Sequence, residues 1–158
     1  MKKITSREIR LARRPQGMPT AANFTLAQTE LPPLQDQQVL VRNLFMSVDP
    51  YMRGRMNEGK SYVPPFALGQ PLEGGAVGEV VASRASEFKP GDAVTSNFGW
   101  REYFIAAPKE LHAVSRDVGP LSIYLGMAPF PRLIRAADPR SPSAETQPAT
   151  HSARPEHR

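Results

Sequence analysis

The stretch Ser47-Val48-Asp49-Pro50-Tyr51-Met52-Arg53-Gly54-Arg55-Met56 decides how this chain reads. It grows out of Gln38-Val39-Leu40-Val41-Arg42-Asn43-Leu44-Phe45-Met46-Ser47-Val48, a β-branched and apolar run that predicts a central strand. Pro50 fits the first position of a helix, and the Asp49 carboxylate can accept from early N–H groups, so a short helix or turn is expected over residues 50–56. A tyrosine, two arginines and two methionines this close to a strand end combine polar groups with adaptable apolar ones. That combination suits the wall of a substrate pocket.

Outward from this stretch the first 126 residues read as mainly β. Ile4 to Leu11 alternates weakly and Phe24 to Gln28 alternates clearly. Gly75 to Ser83, Asp92 to Ser96, Trp100 to Ala106 and Leu111 to Val114 follow as short strand-like runs. Turn signals stand between them at Leu31-Pro32-Pro33, Lys89-Pro90-Gly91-Asp92 and Ala107-Pro108-Lys109-Glu110. Many short strands with Pro/Gly turns predict a small barrel or sandwich, here a partly open β-barrel with one or two short helices.

The character of the chain changes after Gly126. All eleven glycines and all five lysines lie at or before that residue, whereas residues 127–158 hold six prolines and five arginines. No hydrophobic period survives there, and disorder is expected from about Ala136. Such a tail reads either as a proline-rich recognition segment or as a terminus without function, for instance an out-of-frame end; the second is the expectation. The domain division is therefore 1–126 folded and 127–158 a proline/arginine-rich tail.

Composition excludes several classes. The chain has no cysteine, which removes disulfides, thiolate metal sites and a cysteine nucleophile and accords with a cytoplasmic setting. No apolar run approaches the roughly 20 residues needed to cross a bilayer, and no apolar segment follows the basic N-terminus. The net charge of +5 raises nucleic acid as a partner, but the charges are scattered among acids and no nucleic-acid-binding motif accompanies them. Neither nucleic acid nor membrane is expected as a partner. Catalytic zinc needs three converging ligands, and His112, His151 and His157 are dispersed, so no metal is expected. A Ser-His-Asp hydrolase is not expected either: no Gly-x-Ser-x-Gly turn is present, and His112, the only histidine in the folded part, reads as a surface strand residue.

The order of elements, together with Ser47 to Met56, Ser61-Tyr62-Val63-Pro64-Pro65, Gly69-Gln70-Pro71-Leu72-Glu73-Gly74-Gly75 and Lys89-Pro90-Gly91-Asp92-Ala93-Val94, resembles the N-terminal GroES-like domain of the zinc-independent medium-chain dehydrogenase/reductases. That branch holds NADP-dependent alkenal double-bond, prostaglandin and curcumin reductases, and the likeness spans about residues 4–126. It implies reduction of the C=C bond of an α,β-unsaturated carbonyl compound by NADPH, with this chain supplying the substrate-side domain and its Rossmann domain absent. A dinucleotide loop needs glycine at a helix N-terminus. No glycine follows residue 126, and Gly74-Gly75-Ala76-Val77-Gly78 has the wrong spacing and runs into a strand. This chain alone is therefore expected to bind no NADP(H) tightly and to be inactive. Its alternatives are a non-catalytic barrel fragment and a basic interaction module.

The resemblance implies site residues. Tyr62 is the first choice for proton donor or carbonyl partner and Tyr51 the second, each with the alternative of being a packed aromatic. Met52, Arg53, Asn97, Phe98 and Trp100 are candidate substrate-binding residues, the last two as rings that can stack on a flat conjugated substrate. Arg53 has the further option of pairing a carboxylate across its turn, and Arg55 of meeting a partner domain or an anionic substrate. Glu73 stands where zinc-dependent relatives carry a His-Glu pair. Apolar surface left around Tyr51, Met52, Phe98 and Ile123 is expected to promote self-association.

Overall fold

The computed structural model describes residues 3–59 and 63–126; the expected disordered tail and Tyr62 lie outside the described residues. Seven strands form two antiparallel sheets that do not close into a full barrel. β1 (Ile4–Leu11) pairs with β2 (Phe24–Leu31) over all eight residues, from Ile4 opposite Leu31 to Leu11 opposite Phe24. The second sheet has five strands: β3 (Val39–Met46), β4 (Ala76–Ser83), β5 (Ala93–Ser96), β6 (Tyr103–Ala106) and β7 (His112–Val114), in the order β6-β3-β4-β5-β7. Two short helices complete it, α1 (Tyr51–Arg55) and α2 (Ile123–Gly126). Among the described residues no helix is long and apolar enough to cross a membrane.

Strand alternation places Val39 and Val41 of β3, Val80 of β4, Val94 of β5 and Phe104 of β6 in one buried cluster. The opposite side of β4 and β5 is also covered: Val77 and Ala93 pack under Leu121 and Tyr124, whose hydroxyl donates to the Ser115 carbonyl at 2.8 Å. A third cluster lies between β1 and α1, where Leu11 and Leu72 meet Met52 and Met56. These two methionines are four residues apart, the spacing that brings side chains onto one helical face.

β1 departs from its expected alternation, because polar Ser6 and Glu8 are buried along with Leu11. Each is satisfied. The Ser6 hydroxyl donates to the Tyr103 carbonyl at 2.8 Å and accepts from the Tyr103 N–H at 3.0 Å. The Glu8 carboxylate accepts from Arg10 and from the Thr29 hydroxyl. β1 thereby becomes the bridge between the sheets. Its Ile9 N–H donates to the Trp100 carbonyl at 2.8 Å, its Arg7 carbonyl accepts from Glu102 N–H at 2.9 Å, and Arg7 and Glu102 form an ion pair.

Two irregularities shape the β3–β4 ladder, near Leu40/Val41 and near Asn43/Phe45. The second leaves Leu44 without an opposite residue, a bulge of the kind that bends a strand and re-aims its side chains. β6 pairs with β3 through Arg42, so Leu44, Phe45 and Met46 run past the paired edge and remain exposed.

Gly78, opposite Asn43, has no room for a side chain: a Cβ there would lie 2.6 Å from the Arg42 carbonyl oxygen and 2.7 Å from Val41 Cγ1. Gly78→Ala is expected to destabilise the domain by about 1–3 kcal/mol, as overpacking does. Gly54, inside α1 with open space around it, is the contrast, and Gly54→Ala is expected to stabilise by roughly 0.5–1 kcal/mol. Urea midpoints at unchanged slope measure both; equal effects would contradict this account of the ladder.

Candidate active site

The end of β3 delivers the chain to α1 through a fixed corner. Ser47 N–H donates to the Gly75 carbonyl at 2.8 Å, and the Ser47 hydroxyl donates to the Asp49 carboxylate at 2.7 Å. The expected capping role of that carboxylate is thus corrected. It turns back to the nearer Ser47 hydroxyl, Pro50 flanks the helix, and the Asp49 backbone carbonyl accepts from Met52 N–H at 3.0 Å.

Tyr51 opens α1 half exposed, at 50 % of its free surface, and its hydroxyl has no hydrogen-bond partner among the described residues. Partial burial pushes its pKa up. The nearby Asp49 carboxylate adds to this, Arg55 opposes it, and Glu73 again raises it. The phenol therefore keeps its proton at neutral pH and is available as a donor.

The neighbouring arginines are committed. Arg53 pairs with no carboxylate among the described residues and takes the structural alternative: its guanidinium donates to the Gly17 carbonyl at 2.7 Å and to Asn57 Oδ1 at 2.7 Å, anchoring the loop that precedes β2. Arg55 takes the carboxylate instead, donating to Glu73 at 2.8 Å while lying 4.1 Å from the Phe66 ring centre. Met52, a candidate substrate contact with core packing as its alternative, is only 3 % exposed and belongs to the core.

The 97–101 turn is pulled inward by backbone. Gly74 N–H donates to the Asn97 carbonyl and Gly99 N–H to the Gly74 carbonyl, each at 3.0 Å. A Cβ on Gly99 would lie 2.9 Å from that Gly74 oxygen, so only glycine permits the approach. The consequence corrects the expected aromatic platform. Phe98 stacks on Phe104, with ring centres 4.8 Å apart, and Trp100 stacks on Phe24 at 6.5 Å. The two rings serve separate packing clusters, and Asn97 alone of the turn is exposed. Trp100 itself adopts a φ of 60°, uncommon for a bulky residue.

Asn43 was not anticipated as a functional position. Its side-chain amide donates to the Phe98 carbonyl at 2.7 Å and the Arg101 carbonyl at 2.8 Å, clamping the turn to β3. The available signal was a lone amide inside an apolar strand. Arg101 completes the turn, donating to the Leu72 carbonyl at 3.1 Å; burial lowers its pKa, with Glu8 and Glu73 acting against that.

Residues 7–114 match a family described as the N-terminal domain of oxidoreductase. The chain belongs to this family, the medium-chain dehydrogenase/reductases. It is 41 % identical over 101 residues to the NADPH-dependent curcumin reductase of Escherichia coli (strain K12), covering 64 % of this chain and 29 % of that protein. It is 34 % identical over 134 residues to the NADP(+)-dependent 2-alkenal reductase of Nicotiana tabacum, covering 81 % and 39 % respectively. Among solved structures it resembles CurA of Vibrio vulnificus in complex with NADPH, with a TM-score of 0.70 and 39 % identity over 75 % of this chain and 35 % of that one. The chain thus spans about a third of the length of the relatives it matches.

The described residues of this oxidoreductase domain do not fit a dinucleotide by themselves. The glycine-rich segment 74–78 passes directly into β4 rather than into a helix, and the Gly74 amide is already spent on Asn97. No three His, Asp or Glu side chains come together among the described residues, and Glu73 is bound to Arg55.

The Tyr51 environment has a measurable signature. The phenolate absorbance of the wild type minus that of Tyr51→Phe is expected to titrate with a midpoint above the ordinary value of about 10. Because the folded state holds this proton more tightly, the associated stability is complete below the unfolded pKa and is lost as pH rises through the folded one. Tyr51→Phe should therefore weaken the alkaline loss of stability; a midpoint at or below about 10 would contradict the environment described.

Proposed function

We propose that this chain forms the acceptor-side domain of an NADPH-dependent reductase acting on the C=C bond of α,β-unsaturated ketones or aldehydes. The observation that carries the reading is Tyr51, a half-exposed phenol with a raised pKa whose hydroxyl has no partner among the described residues, in a chain similar to reductases named for curcumin and 2-alkenals. NADPH supplies a hydride to the β-carbon in such chemistry. The role left to this domain is at the other end of the conjugated system. A phenol O–H directed at the carbonyl oxygen stabilises the charge that develops there, an effect worth about 2.7–4 kcal/mol for a preorganised donor. Tyr62 is the second candidate for this donor or for the proton delivered to the α-carbon. Asn97 is the remaining exposed candidate on the substrate side. The absence of cysteine accords with a cytoplasmic setting.

On this reading nucleotide binding belongs to residues other than 3–59 and 63–126. Titration of the purified chain with NADPH is expected to show no saturable binding, and added enone to be consumed no faster than in buffer. The enone itself, at millimolar concentration, is expected to perturb the Tyr51 ring resonances of the chain and to lose that effect in Tyr51→Phe. Saturable NADPH binding would overturn the division of labour; an enone that leaves Tyr51 untouched would overturn the acceptor role.

A second reading concerns partners. Val48 and Phe45 stand exposed near Tyr51, and Ile123 is exposed on α2, leaving apolar surface that favours association of copies of this chain. Sedimentation is expected to show mass rising with concentration, reduced by Phe45→Ser with Val48→Ser. A clean monomer at high concentration that binds no apolar dye would remove this reading.

A further inference from the structure

We propose that the Met46 thioether is an oxidation site for hydroperoxides, and that its conversion to the sulfoxide releases the Trp100 backbone N–H and loosens the 97–101 turn. Met46 is the last residue of β3, beyond the bulge at Leu44, and is 39 % exposed. Its sulfur accepts a hydrogen bond from the Trp100 N–H at 3.3 Å. It lines a depression of about 260 Å³ together with Ile9, Leu26 and Trp100. Met52 and Met56 are buried in the core, whereas Met18 is 84 % exposed and has no hydrogen bond to this turn.

A thioether sulfur carries two lone pairs. One faces the Trp100 N–H, which leaves the other to attack the distal oxygen of a hydroperoxide. The S–O bond forms as the O–O bond breaks, sulfur is oxidised by two electrons, and the proton of the transferred hydroxyl passes to the departing oxygen, which leaves as an alcohol, or as water from hydrogen peroxide. Sulfoxide sulfur is electron-poor and a weaker acceptor. The new oxygen forms on the lone pair that does not face the Trp100 N–H, so it does not take over that bond. The Trp100 amide then loses its bond at a residue whose backbone φ of 60° depends on surrounding support. This inference is independent of the proposed catalysis, since it concerns only the turn.

The test uses hydrogen peroxide on the intact 158-residue chain. Trp100 is the only tryptophan, so its emission reports on this turn alone. Peptide mass mapping is expected to find one added oxygen on Met46, accompanied by a red shift of Trp100 emission and stronger acrylamide quenching. Methionine sulfoxide reductase with a thiol reductant should reverse both. The emission response should vanish in Met46→Leu and persist in Met18→Leu. Should Met46→Leu not fold, the wild-type time course decides, because the emission change must track oxidation of Met46 rather than of Met18. An unmodified Met46 beside a fully oxidised Met18, an oxidised Met46 with unchanged emission, or an emission change that persists in folded Met46→Leu would each overturn the proposal.

Discussion

The backbone contact between Gly74 and the 97–99 turn is the constraint on which the candidate site depends. Residues 74 and 75 are held from both sides: Ser47 donates to Gly75, while Gly74 donates to Asn97 and accepts from Gly99. Through these bonds the exit of β3, the entry of β4 and the turn before β6 share one position. Main chain approaches main chain at Gly74 and Gly99, a separation that any side chain on Gly99 would prevent. The packing of Met52 and Trp100 into one cluster follows from that closeness. So does the placement of Glu73, one residue away, within reach of Arg55.

β3 is two strands in one. Its first half is sealed by β4 on one side and β6 on the other, and Val39, Leu40 and Val41 are buried. Its second half passes the bulge at Leu44 and the end of the β6 ladder together, so Leu44, Phe45 and Met46 emerge exposed. Apolar residues left uncovered at a strand end disfavour the isolated domain, since burial of such surface is worth roughly 25 cal/mol per Å².

Periodicity and turn chemistry made all seven strands and α1 legible, because short β-branched and apolar runs alternate with Pro and Gly turn signals. Side-chain roles were much less legible. Arg53 and Arg55 differ by two positions on one short helix, and which of them meets a carboxylate depends on Glu73, eighteen residues away. Phe98 and Trp100 read as a pair in the sequence, yet the Gly74–Gly99 approach and the φ of Trp100 send their rings to different clusters. The inward-facing Ser6 and Glu8 reverse the alternation that hydrophobicity alone gives for β1; their partners, Tyr103, Arg10 and Thr29, were not recoverable from a local window. Tyr62 lies outside the described residues, so its role rests on resemblance.

Around Tyr51 the polar groups are already paired: Ser47 with Asp49, Arg55 with Glu73, and Arg53 with Gly17 and Asn57. Among the described residues the Tyr51 hydroxyl is the exception, and that asymmetry bears on what it can do. Partial burial, and after it Asp49 and Glu73, disfavour its phenolate, so the group holds its proton. The same negative field also opposes an enolate oxygen forming nearby. A donor in that setting helps only if its hydrogen bond shortens as the charge grows, when a local O–H dipole outweighs more distant carboxylates. Under the proposed reading, the corner at Ser47 and Asp49 therefore has two tasks. It fixes where the phenol stands, and it keeps the proton on it until an acceptor arrives.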